Sequence, residues 1–151
     1  EPQYDKVKAF NSGFALVLKD DQWNYINTSG EILQVDPPDK YLDFNDGVAI
    51  YRKGEQIGLL GTDGKLIVEP KYDEIKKFWD GHAKFRKGED AWGLINKRGE
   101  VIIPAEYESI GTYNKNGLWG KKGNDLGVFF DVITRMRNHI IFIDLVRSRT
   151  D

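Results

Sequence analysis

The stretch Ala91-Trp92-Gly93-Leu94-Ile95-Asn96-Lys97-Arg98-Gly99-Glu100 sets a tryptophan beside a glycine, adds an apolar pair and closes on a glycine-terminated turn. Whether Trp92-Gly93 is a site or one copy of a structural pattern decides the fold. Gly-x-Ala occurs at Gly13-Phe14-Ala15, Gly47-Val48-Ala49 and Gly81-His82-Ala83, in steps of 34 residues. An aromatic residue stands three positions before each: Phe10, Phe44 and Phe78. Lysine keeps the same step at Lys19, Lys53, Lys87 and Lys121, and glycine-closed turns follow at Gly30, Gly64 and Gly99. Every proline lies at a copy boundary shortly before a tyrosine: Pro2 before Tyr4, Pro37-Pro38 before Tyr41, Pro70 before Tyr72, Pro104 before Tyr107. The second boundary is irregular, because Tyr41 stands three residues from Phe44 where the others allow six. A period shared by several kinds of residue is the signature of a tandem array. Four copies are expected, at about 4–36, 37–71, 72–106 and 107–146, within one repeat domain covering 1–151 that is a fragment of a longer protein.

The Trp-Gly pair has counterparts at Trp23-Asn24, Ile57-Gly58 and Leu126-Gly127. A large apolar residue in every copy reads as a core position. The glycine reads as a place where a neighbouring strand or ring comes close, and Asn24 shows one copy without it. His82-Ala83-Lys84-Phe85-Arg86 alternates, with Ala83 and Phe85 on one face, matched by Ala15/Val17 and Ala49/Tyr51. A turn at Gly88-Glu89 leads to a second strand at 92–96 and a third at 101–103, stopped by Pro104, which has no N–H for a ladder. Each copy is therefore expected to be a three-stranded antiparallel meander. A lone meander cannot bury its apolar face, so neighbours must stack. The fold expected is all-β, a curved, open β-repeat array. A partial β-propeller is the alternative, since three strands fall short of the four in a propeller blade. In the tail, 127–133 and 139–146 are expected to form a long hairpin around a polar turn at 134–138. The β-branched and aromatic run Ile140-Ile141-Phe142-Ile143 outweighs the helical spacing of Ile133, Met136, Ile140 and Ile143.

Gly81-His82-Ala83, Trp92-Gly93-Leu94-Ile95, Gly99-Glu100-Val101-Ile102-Ile103-Pro104 and Glu106-Tyr107-Glu108 together resemble the WG repeat, also called the KWG repeat. The resemblance runs from residue 1 to about 131. Three of the four Trp-Gly positions depart from the pattern, so the second and fourth copies are degenerate. The resemblance implies an interaction module of a bacterial protein, set beside other domains, and brings no catalytic residues with it.

Composition excludes several classes. Cysteine is absent, so there is no disulfide framework and no thiolate chemistry. A net charge of −2 argues against a nucleic-acid partner, and Arg135 and Arg137 do not reverse that. No apolar run reaches the length of a membrane-spanning helix. The glycines of 58–66 have the wrong spacing for a phosphate loop, and Leu66 stands where a metal-holding Ser or Thr is needed. The segment from Asp43 looks like a calcium loop but has Gly54 at its closing position instead of glutamate. His82 and His139 lack a second ligand at metal spacing. The pairs Glu69/Asp73 and Glu106/Glu108 recur at copy boundaries, which suits turn formers or solvated edges better than a catalytic pair. No catalytic residue, metal or cofactor is expected.

Residues that break the repeat are the better binding candidates. Trp79 stands where the other copies hold Asn11, Asn45 and Asn114. An exposed tryptophan can stack on a sugar or anchor a peptide, with Tyr113 as a second aromatic. The alternative folds Trp79 back over its own copy. Trp119 aligns with Ala15, Ala49 and Ala83 and is expected to fill space at a looser terminal copy. The face opposite Ala15 changes from Phe14, Leu16 and Leu18, through Val48 and Ile50, to His82, Lys84 and Arg86. Its apolar start is expected either to lie under sequence outside the chain or to meet a partner as an exposed patch. The candidate ligand-binding residues are thus Trp79, Tyr113, His82, Leu16 and Ile50, with His82 a solvated residue on the polar strand face. The expected partner is a protein or peptide, besides neighbouring domains of the parent chain. A polysaccharide is the alternative, in which the module is a carbohydrate-binding accessory domain of an extracellular enzyme. The expected location is extracellular or periplasmic, with the cytoplasm as the alternative.

Overall fold

The computed structural model describes residues 3–111, 118–130 and 141–147 of the 151-residue chain. The described residues contain no helix and form four antiparallel sheets, none of them closed, in which strands pair in chain order. The first sheet holds β1 (Lys6–Val7), β2 (Phe14–Lys19) and β3 (Gln22–Asn27). The second holds β4 (Val48–Lys53), β5 (Gln56–Gly61) and β6 (Leu66–Tyr72). The third holds β7 (Glu74–Ile75), β8 (His82–Arg86), β9 (Trp92–Asn96) and β10 (Val101–Tyr107). The fourth holds β11 (Ser109–Ile110), β12 (Leu118–Lys122), β13 (Asp125–Phe130) and β14 (Ile141–Arg147). The short leading strands β7 and β11 are too brief to show a period in sequence, and they raise the last two sheets from three strands to four.

The Gly-x-Ala glycine exists for a turn. Ser12, Asp46 and Asp80 have φ of 53°, 55° and 48°, and the glycines after them have φ of 85°, 82° and 78°. Two consecutive positive φ values define the mirror-image hairpin turn that suits twisted strands. Bridges Asn11–Phe14, Asn45–Val48 and Trp79–His82 close these turns. The turns also tie neighbouring copies together. Gly47 donates its N–H to Ser12 Oγ at 2.9 Å, and Gly81 to Asp46 Oδ2 at 2.7 Å.

The Trp-Gly glycine exists for a close approach. A Cβ on Gly58 would collide with the Val68 carbonyl oxygen and stand 2.9 Å from Pro70 N. A Cβ on Gly93 would collide with the Ile103 carbonyl oxygen and stand 2.7 Å from the Phe85 ring. In both copies the last strand crosses this glycine through an irregular register. That irregularity corrects the expected end of the third strand. β10 does not stop at Pro104 but runs on to pair Tyr107 with Trp92, as β6 runs through Pro70 to pair Tyr72 with Ile57. A proline is tolerated where the ladder is already interrupted.

Each junction between sheets has its own core. Leu16, Tyr25, Phe44, Ala49, Tyr51 and Leu60 fill the first. Val48, Leu59, Tyr72, Phe78, Phe85 and Ile95 are among those filling the second. Leu94, Ile103, Tyr107, Ile110 and Leu118 fill the third. Ala15, Val17 and Ile26 form a further cluster with Tyr4 on the outer face of the first sheet. β2, β3, β4, β5 and β9 have buried residues on both faces, as strands inside a stack do.

In the tail, β13 and β14 pair antiparallel from Asp125–Arg147 to Phe130–Ile141, as two arms of a hairpin. The polar turn expected at 134–138 lies outside the described residues. The register of β12 corrects the place of Trp119. Leu118 faces Phe129 as Ala83 faces Ile95, so Leu118 holds the alanine column and Trp119 the column of Lys84. The cause is one extra residue in the third hairpin, where the Lys87 N–H bonds to the Ala91 carbonyl at 3.0 Å across a three-residue loop. The lysine column therefore ends at Lys122, which faces Asp125 as Lys53 faces Gln56.

Candidate interaction surfaces

Most recurring polar residues hold the array together. Asp5, Asp39, Asp73 and Glu108 each accept a hydrogen bond from the first residue of their own copy's β-hairpin turn. The donors are the N–H groups of Asp20 (3.1 Å), Gly54 (2.6 Å), Gly88 (2.6 Å) and Gly123 (3.0 Å). The column lysines clamp the segment entering the copy: Lys53 Nζ on the Pro37 carbonyl at 2.8 Å, Lys87 on the Lys71 carbonyl, Lys122 on Glu106 at 3.3 Å. Asp73, Glu106 and Glu108, weighed above as members of acid pairs, are engaged in these contacts. Asp46 joins the second and third copies through Gly81 N–H and Lys97 Nζ, the latter at 3.2 Å. Burial works against its charge, but those two donors outweigh it and hold the carboxyl below its ordinary value. Glu74 is also held low, chiefly by its bond to Lys76 and with help from Arg86 at 3.6 Å.

The Trp column is less uniform than a shared core slot. Ile57 is buried, Trp23 and Trp92 are half-buried, and Leu126 is 40% exposed. Lys8 lies 5.4 Å from the Trp23 ring centre and Lys76 5.4 Å from that of Trp92, each a cation over an aromatic face.

Of the candidate binding residues, Trp79 is 61% exposed and does not fold back into the core of its copy. Its backbone begins the tight turn, bonding His82 in both directions, so the turn needs no aromatic at that place. His82 is not the solvated residue expected. It is half-buried, Nδ1 lies 2.9 Å from the Asp80 carbonyl, and Nε2 is enclosed without a hydrogen-bond partner. Leu16 is 1% exposed, so the apolar patch expected around it is instead the face on which the second copy packs. Ile50 is half-buried against the second junction and lines a cavity of about 370 Å³ with Phe44, Asn45 and Phe78. Tyr113 lies outside the described residues. The four candidates among the described residues do not converge on one site.

A larger cleft went unexpected. It measures about 560 Å³ and lies between β3 and the chain at 32–41, with Trp23, Tyr41, Leu33 and Val35 among its walls and Asp21 and Asp39 as its charged groups. The signals were Asn24 in place of the glycine, the Pro37-Pro38 pair and the early Tyr41. Tyr25 lies behind it, fully buried, its hydroxyl bonded to the Leu42 carbonyl and its pKa pushed up by burial.

A family model described as a WG containing repeat matches residues 1–23, 57–89 and 92–119, together more than half of the chain. The chain belongs to the WG repeat family. The matched segments leave out 24–56, the stretch that begins at Asn24 and contains the irregular boundary. No curated protein and no solved structure matches the chain.

Proposed function

We propose that this chain is a non-catalytic interaction module of a larger bacterial protein and binds a protein or peptide partner. One observation carries the reading: Trp79 is 61% exposed at a turn position that Asn11 and Asn45 fill without an aromatic ring. Turn acids, clamp lysines and junction cores account for the recurring residues, and the exposed Trp79 belongs to none of the junction cores. Exposed tryptophans are enriched among the anchors that dominate binding energy. A peptide and glycan array probed with the chain and with Trp79→Ala tests the reading. The expected result is a peptide ligand whose binding weakens by at least about 2 kcal/mol while the melting temperature hardly moves. Binding that survives Trp79→Ala would move the site elsewhere.

The exposed ring also supports a second reading, a carbohydrate-binding accessory domain of an extracellular enzyme, because an indole face stacks on a sugar ring as readily as on a peptide. A polysaccharide hit in the same array would select it. Either reading suits an extracellular or periplasmic location. Turnover of any arrayed substrate, abolished by Glu69→Gln or Glu106→Gln, would overturn the non-catalytic assignment.

A further inference from the structure

The first sheet ends where its neighbours continue. In the second and third sheets the last strand reaches Ile57 through Tyr72 and Trp92 through Tyr107. In the first sheet the contact stops at the Ile26–Ile32 bridge and the bond from Leu33 N–H to the Tyr25 carbonyl at 2.9 Å. Leu18 of β2 faces Trp23 on one side of β3, and among the described residues no strand pairs with Trp23 on the other. Two features keep the chain's own strand away. Asn24 carries the Cβ that Gly58 and Gly93 must lack for a bulged strand to cross. Pro38, which stands 34 residues before Tyr72, has no N–H to give to a ladder.

We propose that the cleft beside β3 takes an extended peptide segment of a partner protein, which adds to the β3 edge at Trp23, sets an apolar side chain between Trp23 and Tyr41, and places a lysine or arginine against Asp21. The proposal rests on the chain being an interaction module and names the kind of partner. Strand addition draws affinity from main-chain bonds and selectivity from pockets for alternate side chains. The neighbouring copies show that this edge of the hairpin accepts a strand, with an aliphatic residue and then a tyrosine facing it: Val68 and Tyr72 in one, Ile103 and Tyr107 in the other. Asn24 does not obstruct a regular strand. Its Cβ projects from the face of the sheet, and an unbulged neighbour keeps its carbonyls in the sheet plane. Charge favours a basic segment. Asp39 is engaged by Gly54 N–H and Lys53, which leaves the exposed Asp21 as the acid that meets the ligand.

The test uses the whole chain and the probe peptide Lys-Thr-Val-Thr-Val-Thr-Tyr, read by calorimetric titration and by amide NMR shifts. The probe should bind saturably, with the largest shifts at Asp21, Trp23 and Asn24. N-methylation of the probe amides facing β3 should weaken binding by about tenfold or more, the worth of one or two net main-chain hydrogen bonds. Asp21→Asn, which tolerates the φ of 61° at that position, should weaken it about threefold, as for an exposed ion pair. No binding at millimolar probe, equal binding of the N-methylated probe, or shifts centred on Trp79 would each overturn the proposal. Array ligands that depend on Trp79, with no probe binding, would remove strand addition alone. Failure of both array and probe would remove the interaction-module reading as well.

Discussion

In the third copy β10 lies along β9 as far as the Tyr107–Trp92 pair, whereas in the first copy the chain leaves β3 after Leu33. The two hairpins are otherwise alike. Phe85 faces Gly93 as Val17 faces Asn24, and a lysine covers the tryptophan ring in both. The difference lies in one missing or present Cβ and in the prolines that follow. Where the glycine is present, a bulged strand crosses it and the copy closes its own edge. Where asparagine stands instead, the edge is left beside a cleft. The glycine of the Trp-Gly pair is therefore the more consequential member, since the tryptophan place accepts isoleucine and leucine.

The comparison breaks first at the glycines. Gly58→Ala and Gly93→Ala should each cost about 3 kcal/mol, because the new methyl meets backbone atoms that have little room to yield. Asn24→Ala should stay within about 0.5 kcal/mol. Urea unfolding measures both, and a neutral Gly93→Ala would remove the reason given for the first copy's departure. Next in size is the ring beside the glycine. Trp92→Ala should cost about 2 kcal/mol, less than a fully buried aromatic would, because the ring is half-buried beneath Lys76 and Arg86.

Smaller effects separate the junctions. The second-to-third junction uses the charged Asp46, and the first-to-second uses the neutral Ser12 at the same place. Asp46→Asn, which keeps tolerance for a positive φ, should cost about 1 kcal/mol at neutral pH. The folded-state pKa values of Asp46 and Glu74 are depressed, so their contribution is complete above the unfolded value near pH 4 and is lost as pH falls through the folded value. Stability followed by urea titration below about pH 4 should therefore decline less steeply in Asp46→Asn than in the parent. Ser12→Ala should lower stability by about 0.5–1 kcal/mol without changing that pH profile.

The period, the hairpins and the glycine-closed turns were legible because they rest on local chemistry: alternation in 82–86 and positive φ at Gly30, Gly64 and Gly99. Leu16 was misplaced because alternation was read as one buried face and one open face. In a stack both faces are covered, and Leu16 meets the second copy. Trp119 was misplaced because Lys121 falls on the 34-residue step by coincidence, and only pairing reveals the extra residue near Gly88. Pro104 was overread as a stop, since a bulge in a partner strand leaves no trace in sequence spacing. The cleft at β3 was half legible. Asn24 and Tyr41 stood out as irregular, but the open edge follows only once the role of Gly58 and Gly93 is seen.

Amide hydrogen exchange at Trp23, Ile57 and Trp92 tests that role most directly, because these three hold the same place on the second strand of their hairpins. Ile57 and Trp92 pair with Tyr72 and Tyr107, and on the edge away from β2 no strand lies across from Trp23 among the described residues. The Trp23 amide should exchange at least about 100-fold faster than the other two, as expected of an edge that opens locally rather than with the sheet. Equal protection at all three positions would mean that the first copy closes its edge without the glycine, and the account of the Trp-Gly pair would fail.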